Sequence, residues 1–322
     1  RLAFALGLVA LCFSQVEVGE VARALGRVAP GELMIAFAAI TLGTVVIPAV
    51  ITRRALAVDR LSFTLRELVA INLAMRFYII VLPRVVAIGL RWARYGRGRL
   101  GREALALLVF ERAVYMSAMF LLASLALLAE VGRLGPAGGA VLALSAGLFL
   151  AFSAVLLPFL HGPSAALAGR VAGWMERRAP RFVARRAAGL VQSITAYRSL
   201  RAEGSAVIFL YSLAAVLLFV VSAWFVARAL GLEIGILALV WVRALVFAFT
   251  LIPFSVGGIG LREVGFIGLL GLYGIGAADA LAFSLANFGL QLAIAALGVV
   301  VELRGAVARA RVRAAEGASE PE

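Results

Sequence analysis

Apolar runs of about 20 residues or more recur along this chain, near 33–52, 104–129, 137–160, 205–229 and 280–303. About 20 helical residues cross a bilayer core, and inside hydrocarbon every backbone N–H and C=O must be bonded within the protein. Together these constraints point to an all-α polytopic membrane protein. A shorter run at 2–15 adds a sixth span. It reads as a trimmed first spanning helix and not as a removable signal peptide, because no small-residue cleavage pattern follows it. The composition agrees, with 64% hydrophobic residues and a mean hydropathy of +1.05, against about 45–50% apolar in soluble domains.

Two further apolar stretches are interrupted. Asn72, Arg76, Pro83 and Arg84 break 68–90, and the sequence P-F-S-V-G-G-I-G-L-R-E, from Pro253 to Glu263, breaks 236–273. Loop charge orients both. Segment 53–102 carries eleven arginines and segment 161–203 carries eight, while the connections near 16–32, 130–136, 228–235 and 274–279 are balanced or slightly acidic. The positive-inside rule puts the arginine-rich segments in the cytoplasm. Each interrupted stretch must then enter and leave the membrane on one face, the first from the cytoplasm and the second from outside. That predicts about six spanning helices plus two oppositely oriented re-entrant helical hairpins.

The hairpins also share a sequence: Pro83 precedes Ile88-Gly89-Leu90-Arg91, and Pro253 precedes Ile259-Gly260-Leu261-Arg262. With their opposite orientations this suggests an inverted repeat whose broken helices meet near the bilayer middle. The resulting organisation is one transmembrane domain over 1–322. Its first half spans about 1–160, a connector 161–203, a second half 204–304, and a disordered cytoplasmic tail 305–322. The connector alternates apolar and arginine residues around Pro180. It reads as amphipathic helices lying in the cytoplasmic headgroup layer, with a plain solvated connector as the alternative.

Several function classes fall away. Cys12 and His161 are the sole cysteine and histidine, so neither a disulfide within the chain nor a Cys/His metal cluster is available. No G-x-x-x-x-G-K-S/T loop is present to cradle nucleotide phosphates. The basic residues are all arginine and fall between apolar runs, which speaks for membrane topology and against nucleic acid. Neither a metal nor a cofactor is expected.

The residues left to carry function are charges and backbone breakers within apolar spans, where charge is costly and usually functional. Pro253 stops a helix. Gly257, Gly258 and Gly260 permit tight turning and close approach to a ligand. A helix starting near Gly258–Gly260 exposes free N–H groups and a positive dipole end, which with Arg262 suits a phosphate. Glu263 can pair with an arginine, accept a proton or meet a cationic headgroup; alternatively, Arg262 and Glu263 sit at the external interface. Glu111 and Arg112 lie in V-F-E-R-A-V-Y and point in different directions on their helix. Candidate partners for Glu111 are Arg76, Arg84, Arg243 and Arg262; those for Arg112 are Glu263 or a lipid phosphate. An inward-facing structural ion pair is the competing reading.

At these residues the chain resembles the lysylphosphatidylglycerol synthase transmembrane-region family, also called flippase-like or UPF0104 proteins. The family's late motif reads roughly P-x-x-x-G-G-x-G-x-R-E, and Pro253, Gly257, Gly258, Gly260, Arg262 and Glu263 match it. Glu111 and Arg112 match its E-R. The first hairpin departs from the pattern, with Arg84-Val85-Val86 where members often carry glycines. The resemblance implies translocation of a lipid.

The resulting expectation is a flippase or transporter, not an enzyme, in the cytoplasmic membrane with its C-terminus inside. Its substrate would be a phosphate-bearing glyco- or aminoacyl-lipid. Expected partners are membrane lipids, a second copy of the chain and lipid- or glycan-biosynthesis enzymes. The competing expectations are an intramembrane lipid-modifying enzyme, with Glu111 or Glu263 as base, and a noncatalytic partner of a glycosyltransferase.

Overall fold

The computed structural model describes residues 18–57, 63–82, 84–96, 102–160, 202–251 and 260–317. Among these, all regular structure is helical. A short helix α1 (Val18–Gly26) precedes α2 (Pro30–Thr41), which runs through one π-helical turn (Leu42–Val46) into α3 (Ile47–Ala57). Then come α4 (Leu65–Val81), α5 (Arg84–Gly96), α6 (Arg102–Glu130), α7 (Pro136–Leu160) and α8 (Ala202–Ala229). The chain closes with α9 (Ile236–Leu251), α10 (Leu261–Gly271) and α11 (Ala277–Gly317).

Among the described residues, five helices are long and apolar enough to cross a membrane: Pro30–Ala55, Leu107–Glu130, Gly138–Leu156, Ser205–Ala229 and Ala277–Val307. They coincide with the five long apolar runs. The run at 2–15 and most of the connector 161–203 lie outside the described residues. The last helix continues to Gly317, well past residue 304, where the sequence reading starts a disordered tail. Its apolar face gives way to arginine and alanine there, and alanine and arginine are both strong helix formers.

Both interrupted stretches are helical hairpins. The α4 helix starts on a capping box, in which Thr64 Oγ1 accepts the Glu67 N–H at 3.3 Å and the Thr64 N–H donates to Glu67 Oε2 at 2.9 Å. It ends at Leu82, held extended (φ −107°, ψ 154°) as a residue before proline prefers. The chain then doubles back. Arg91 on α5 reaches Asn72 on α4 at 3.4 Å, and the Arg94 guanidinium lies 5.4 Å from the centre of the Tyr78 ring. In the second stretch α10 likewise packs on α9, with the Gly265 backbone against Val246 and Phe249.

The α9 arm is enclosed on all sides. Residues 238–246 are buried without interruption, and α9 packs on α6, α8 and α10. A helix that is apolar all round belongs in such a place. Trp241, Phe120, Phe283, Met116 and Val220 anchor the main core around it. A second cluster built on Leu68, Tyr95, Leu107 and Phe110 surrounds the first hairpin. Met34, Leu128, Leu150, Leu210 and Leu303 point outward, as side chains facing acyl tails should.

At the foot of the second hairpin, Trp241 Nε1 donates to the Tyr273 hydroxyl at 2.9 Å, which donates to Glu130 Oε2 at 3.1 Å. This chain ties the α10–α11 turn to α9 and to the end of α6. Burial and the neighbouring Glu130 carboxylate push the Tyr273 phenol from 10.0 up to about 12. A raised folded value means stability present below pH 10 and lost as pH climbs toward 12. Melting temperature should therefore fall between pH 10 and 12 in the wild type, and the slope should flatten in Tyr273→Phe.

The first hairpin is clamped to the last helix at Gly298, where a Cβ would collide with the Leu73 carbonyl oxygen. Small residues allow such backbone approach in membranes. Gly298→Val should destabilise the fold by about 1–3 kcal/mol, measured by denaturant titration in detergent.

Candidate functional site

The two hairpins bring the polar residues of the spans together. In the first, Arg91 Nη2 donates to Glu111 Oε2 at 3.1 Å, and Nε donates to the Tyr95 hydroxyl at 2.9 Å. Thr52, on α3, donates its hydroxyl to Glu111 Oε1. Asn72 holds the other side of Arg91 and donates Nδ2 to the Val45 carbonyl at 3.1 Å. Val45 lies in the π-helical turn. Thr44, in the same turn, offers its carbonyl to Arg76 Nη2.

The second hairpin makes the same arrangement from different parts. Gly260 sits at φ 87°, a conformation open to glycine, and α10 begins right after it. Glu263 curls back over this first turn, so that Oε2 accepts the Gly260 N–H at 2.7 Å. Its other oxygen binds Arg262, whose Nε lies 2.9 Å away, and accepts the Ser284 hydroxyl at 3.2 Å. The Arg262 guanidinium also covers the Phe288 ring at 4.5 Å. Each hairpin thus holds one guanidinium, one carboxylate and one hydroxyl: Arg91–Glu111–Thr52 and Arg262–Glu263–Ser284. Arg91 and Arg262 are the arginines of the two I-G-L-R sequences.

Between the two lies an arginine-rich centre. Arg243, on α9, is 5% exposed; its Nη1 donates to Asn287 Oδ1 at 2.6 Å and its guanidinium stacks 3.7 Å from the Phe219 ring. Arg112 lies over the Phe247 ring at 4.9 Å. The Tyr115 phenol sits within the fields of Arg112, Arg76 and Arg243, and Arg243 within that of Arg262.

Several expected pairings change. Glu111 pairs with Arg91 and not with Arg76, Arg243 or Arg262, because the fold-back of α5 carries Arg91 to α6. Arg76 meets the Thr44 carbonyl, Arg243 meets Asn287 and Arg262 meets Glu263. Glu263 is therefore not the partner of Arg112. Arg84 opens α5, and its side chain lies outside the described residues, as do Pro253, Gly257 and Gly258. The Gly260 N–H, expected to face a phosphate, is taken by the protein's own carboxylate. Adjacent residues on a helix face apart, yet Arg262 and Glu263 meet because an N3 glutamate folds back to its cap.

Arg91, Asn72, Asn287, Thr52, Ser284 and Tyr115 join the site beyond the residues that the sequence nominates. The repeated I-G-L-R was signal enough for Arg91. Asn72 and Asn287 were visible as amides within apolar runs. Thr52 and Ser284 carried no signal, since hydroxyls in helices commonly bond their own i−4 carbonyl.

Breaking one partner of a buried ion pair leaves the other charge stranded, whereas replacing both with apolar groups is often neutral. Arg91→Met should destabilise the protein by about 3 kcal/mol or more. Arg91→Met combined with Glu111→Leu should recover most of that loss, read by denaturant titration of the two variants.

A comparison with curated proteins gives no match. The family described as "Lysylphosphatidylglycerol synthase TM region" matches residues 1–298. That match takes in both hairpins, both guanidinium–carboxylate–hydroxyl triads and the arginine centre between them, and the chain is a member of the lysylphosphatidylglycerol synthase TM region family.

Proposed function

We propose that this protein moves a phosphate-bearing lipid between the leaflets of the cytoplasmic membrane, without covalent change to it. Family membership ties the chain to a membrane lipid-related role. The observation that carries the finer reading is the charge balance of the centre. Among the described residues, Arg76, Arg91, Arg112, Arg243 and Arg262 gather on α4, α5, α6, α9 and α10 with two carboxylates, Glu111 and Glu263. An excess of cations within apolar spans favours an anionic visitor. A lipid headgroup supplies one while its acyl chains stay in the bilayer.

Arm lengths support hairpins that turn back inside the membrane. At 1.5 Å per residue, the 17 residues of α4 and the 13 of α5 reach about 25 and 20 Å. The 16 of α9 and 11 of α10 reach about 24 and 16 Å. None covers a hydrocarbon core of about 30 Å. With the arginine-rich loops inside, the first hairpin opens to the cytoplasm and the second to the outside, and the C-terminus is cytoplasmic. Irregular backbone at that depth is tolerated where protein surrounds it, and α9 has that protection.

Reconstitution into liposomes with a fluorescent phosphatidylglycerol tests the reading, scored by chemical quenching of the outer leaflet. Wild type should exchange lipid well above protein-free vesicles, while folded Glu111→Ala and Arg262→Ala should fall to background. Exchange at background in the wild type overturns the proposal. A chemically altered lipid recovered from the vesicles points to an enzyme instead.

A further inference from the structure

We infer that the side-on edge of the Arg243 guanidinium, its Nε and Nη2 end, is the seat of the phosphate group. This rests on the transport reading for the occupant, a lipid that enters the bundle, and goes beyond it in naming where the anion is held. The late motif around Arg262 is the more obvious choice, yet its guanidinium already binds Glu263 and Ser284. Arg91 is equally engaged, by Glu111, Asn72 and Tyr95, and Arg76 gives Nη2 to the Thr44 carbonyl.

Arg243 differs from all three. It is the most enclosed of them, and its buried Nε has no hydrogen-bond partner; unlike Arg91 and Arg262 it bonds a neutral amide instead of a carboxylate. A buried guanidinium lacking an anion is costly, and Phe219 and Asn287 offset part of that cost. Asn287 fixes the Nη1 end, which turns the opposite edge toward an oxyanion. Nε–H and Nη2–H together present two parallel donors at the spacing of two phosphate oxygens.

The neighbours complete the seat. Phe247, one helical turn from Arg243 on α9, carries the Arg112 guanidinium over its ring, and Arg262 supplies a second positive charge whose field reaches Arg243. The Tyr115 phenol lies within the fields of Arg76, Arg112 and Arg243. In this arrangement the two triads set the shape of the hairpins, and Arg243 meets the cargo.

Binding is measured on the purified full-length protein in detergent, with dioleoyl phosphatidic acid, dioleoylglycerol and inorganic phosphate as probes. Wild type should prefer phosphatidic acid to the chain-matched neutral lipid by roughly 10- to 100-fold, the range for hydrogen bonds to a charged group. Arg243→Lys keeps the charge but loses the planar edge. It should keep its melting temperature and lose the preference. A purely structural Arg243 predicts the reverse, with melting lowered and preference intact.

Equal affinity of wild type for the two lipids overturns the seat without recourse to any variant. So does wild-type preference in Arg243→Lys. Inorganic phosphate that displaces the lipid from wild type shows that the phosphate group alone is held; Arg243-dependent binding that resists displacement shows that the whole headgroup is recognised. Either result supports the seat. Transport is scored apart: a wild type that binds phosphatidic acid at Arg243 but exchanges no lipid refutes the transport reading alone.

Discussion

A charge placed within hydrocarbon must be answered by the protein or by what the protein carries, and this fold is arranged around that demand. In both hairpins an arginine, Arg91 or Arg262, binds a carboxylate. Each arginine needs a counter-charge at the same depth. In the first half it arrives from a neighbouring helix, as Glu111 on α6; in the second it arrives from the next residue, Glu263. The first solution joins three helices, α3, α5 and α6, into one unit. The second spends its carboxylate on the first turn of α10 and fixes how that helix begins.

The five long spans, and the interruption that separates α4 from α5, were legible because they rest on one-dimensional signals. Apolar length predicts crossing, and a proline beside polar residues predicts a break. Partner choice was not legible to the same degree. Glu111 had Arg76, Arg84, Arg243 and Arg262 as candidates on grounds of depth, yet its partner is Arg91. The choice depends on the angle at which α5 folds back on α4, and sequence carries that angle only indirectly. The repeated I-G-L-R held the missing hint, since both of its arginines end up bound to a glutamate. Thr52 and Ser284 complete the triads with side chains that look ordinary in any spanning helix.

The equivalence of the two triads bears on how the halves relate. They share residue types and chemistry but not the origin of the carboxylate, one being distant in sequence and the other adjacent. Two similar sets of contacts, with parts drawn from different places, leave only a faint trace in a linear comparison of the halves. The ion pairs at the helix ends add connections across the bundle. Arg94 reaches Glu302 at 2.8 Å, and Arg228 reaches Glu32 at 2.9 Å. The first joins the returning arm of the first hairpin to the last helix, and the second joins α8 to α2.

The π-helical turn at Leu42–Val46 has a consequence for how this protein tolerates changes in length. A π turn accommodates one residue more than an α turn, so everything beyond it is rotated by about 100° relative to an uninterrupted helix. Thr52 faces Glu111 because of that rotation. Deleting one residue from the turn would yield a straighter span with a more regular hydrogen-bond ladder. It would also swing the hydroxyl away from the carboxylate and withdraw the carbonyls that hold Arg76 and Asn72. A single insertion or deletion in this stretch severs α3 from the first hairpin, and Gly43 is constrained in identity too, since a Cβ there would lie 2.9 Å from the Ala215 carbonyl oxygen. The span is therefore specified by its length in residues as much as by its greasiness.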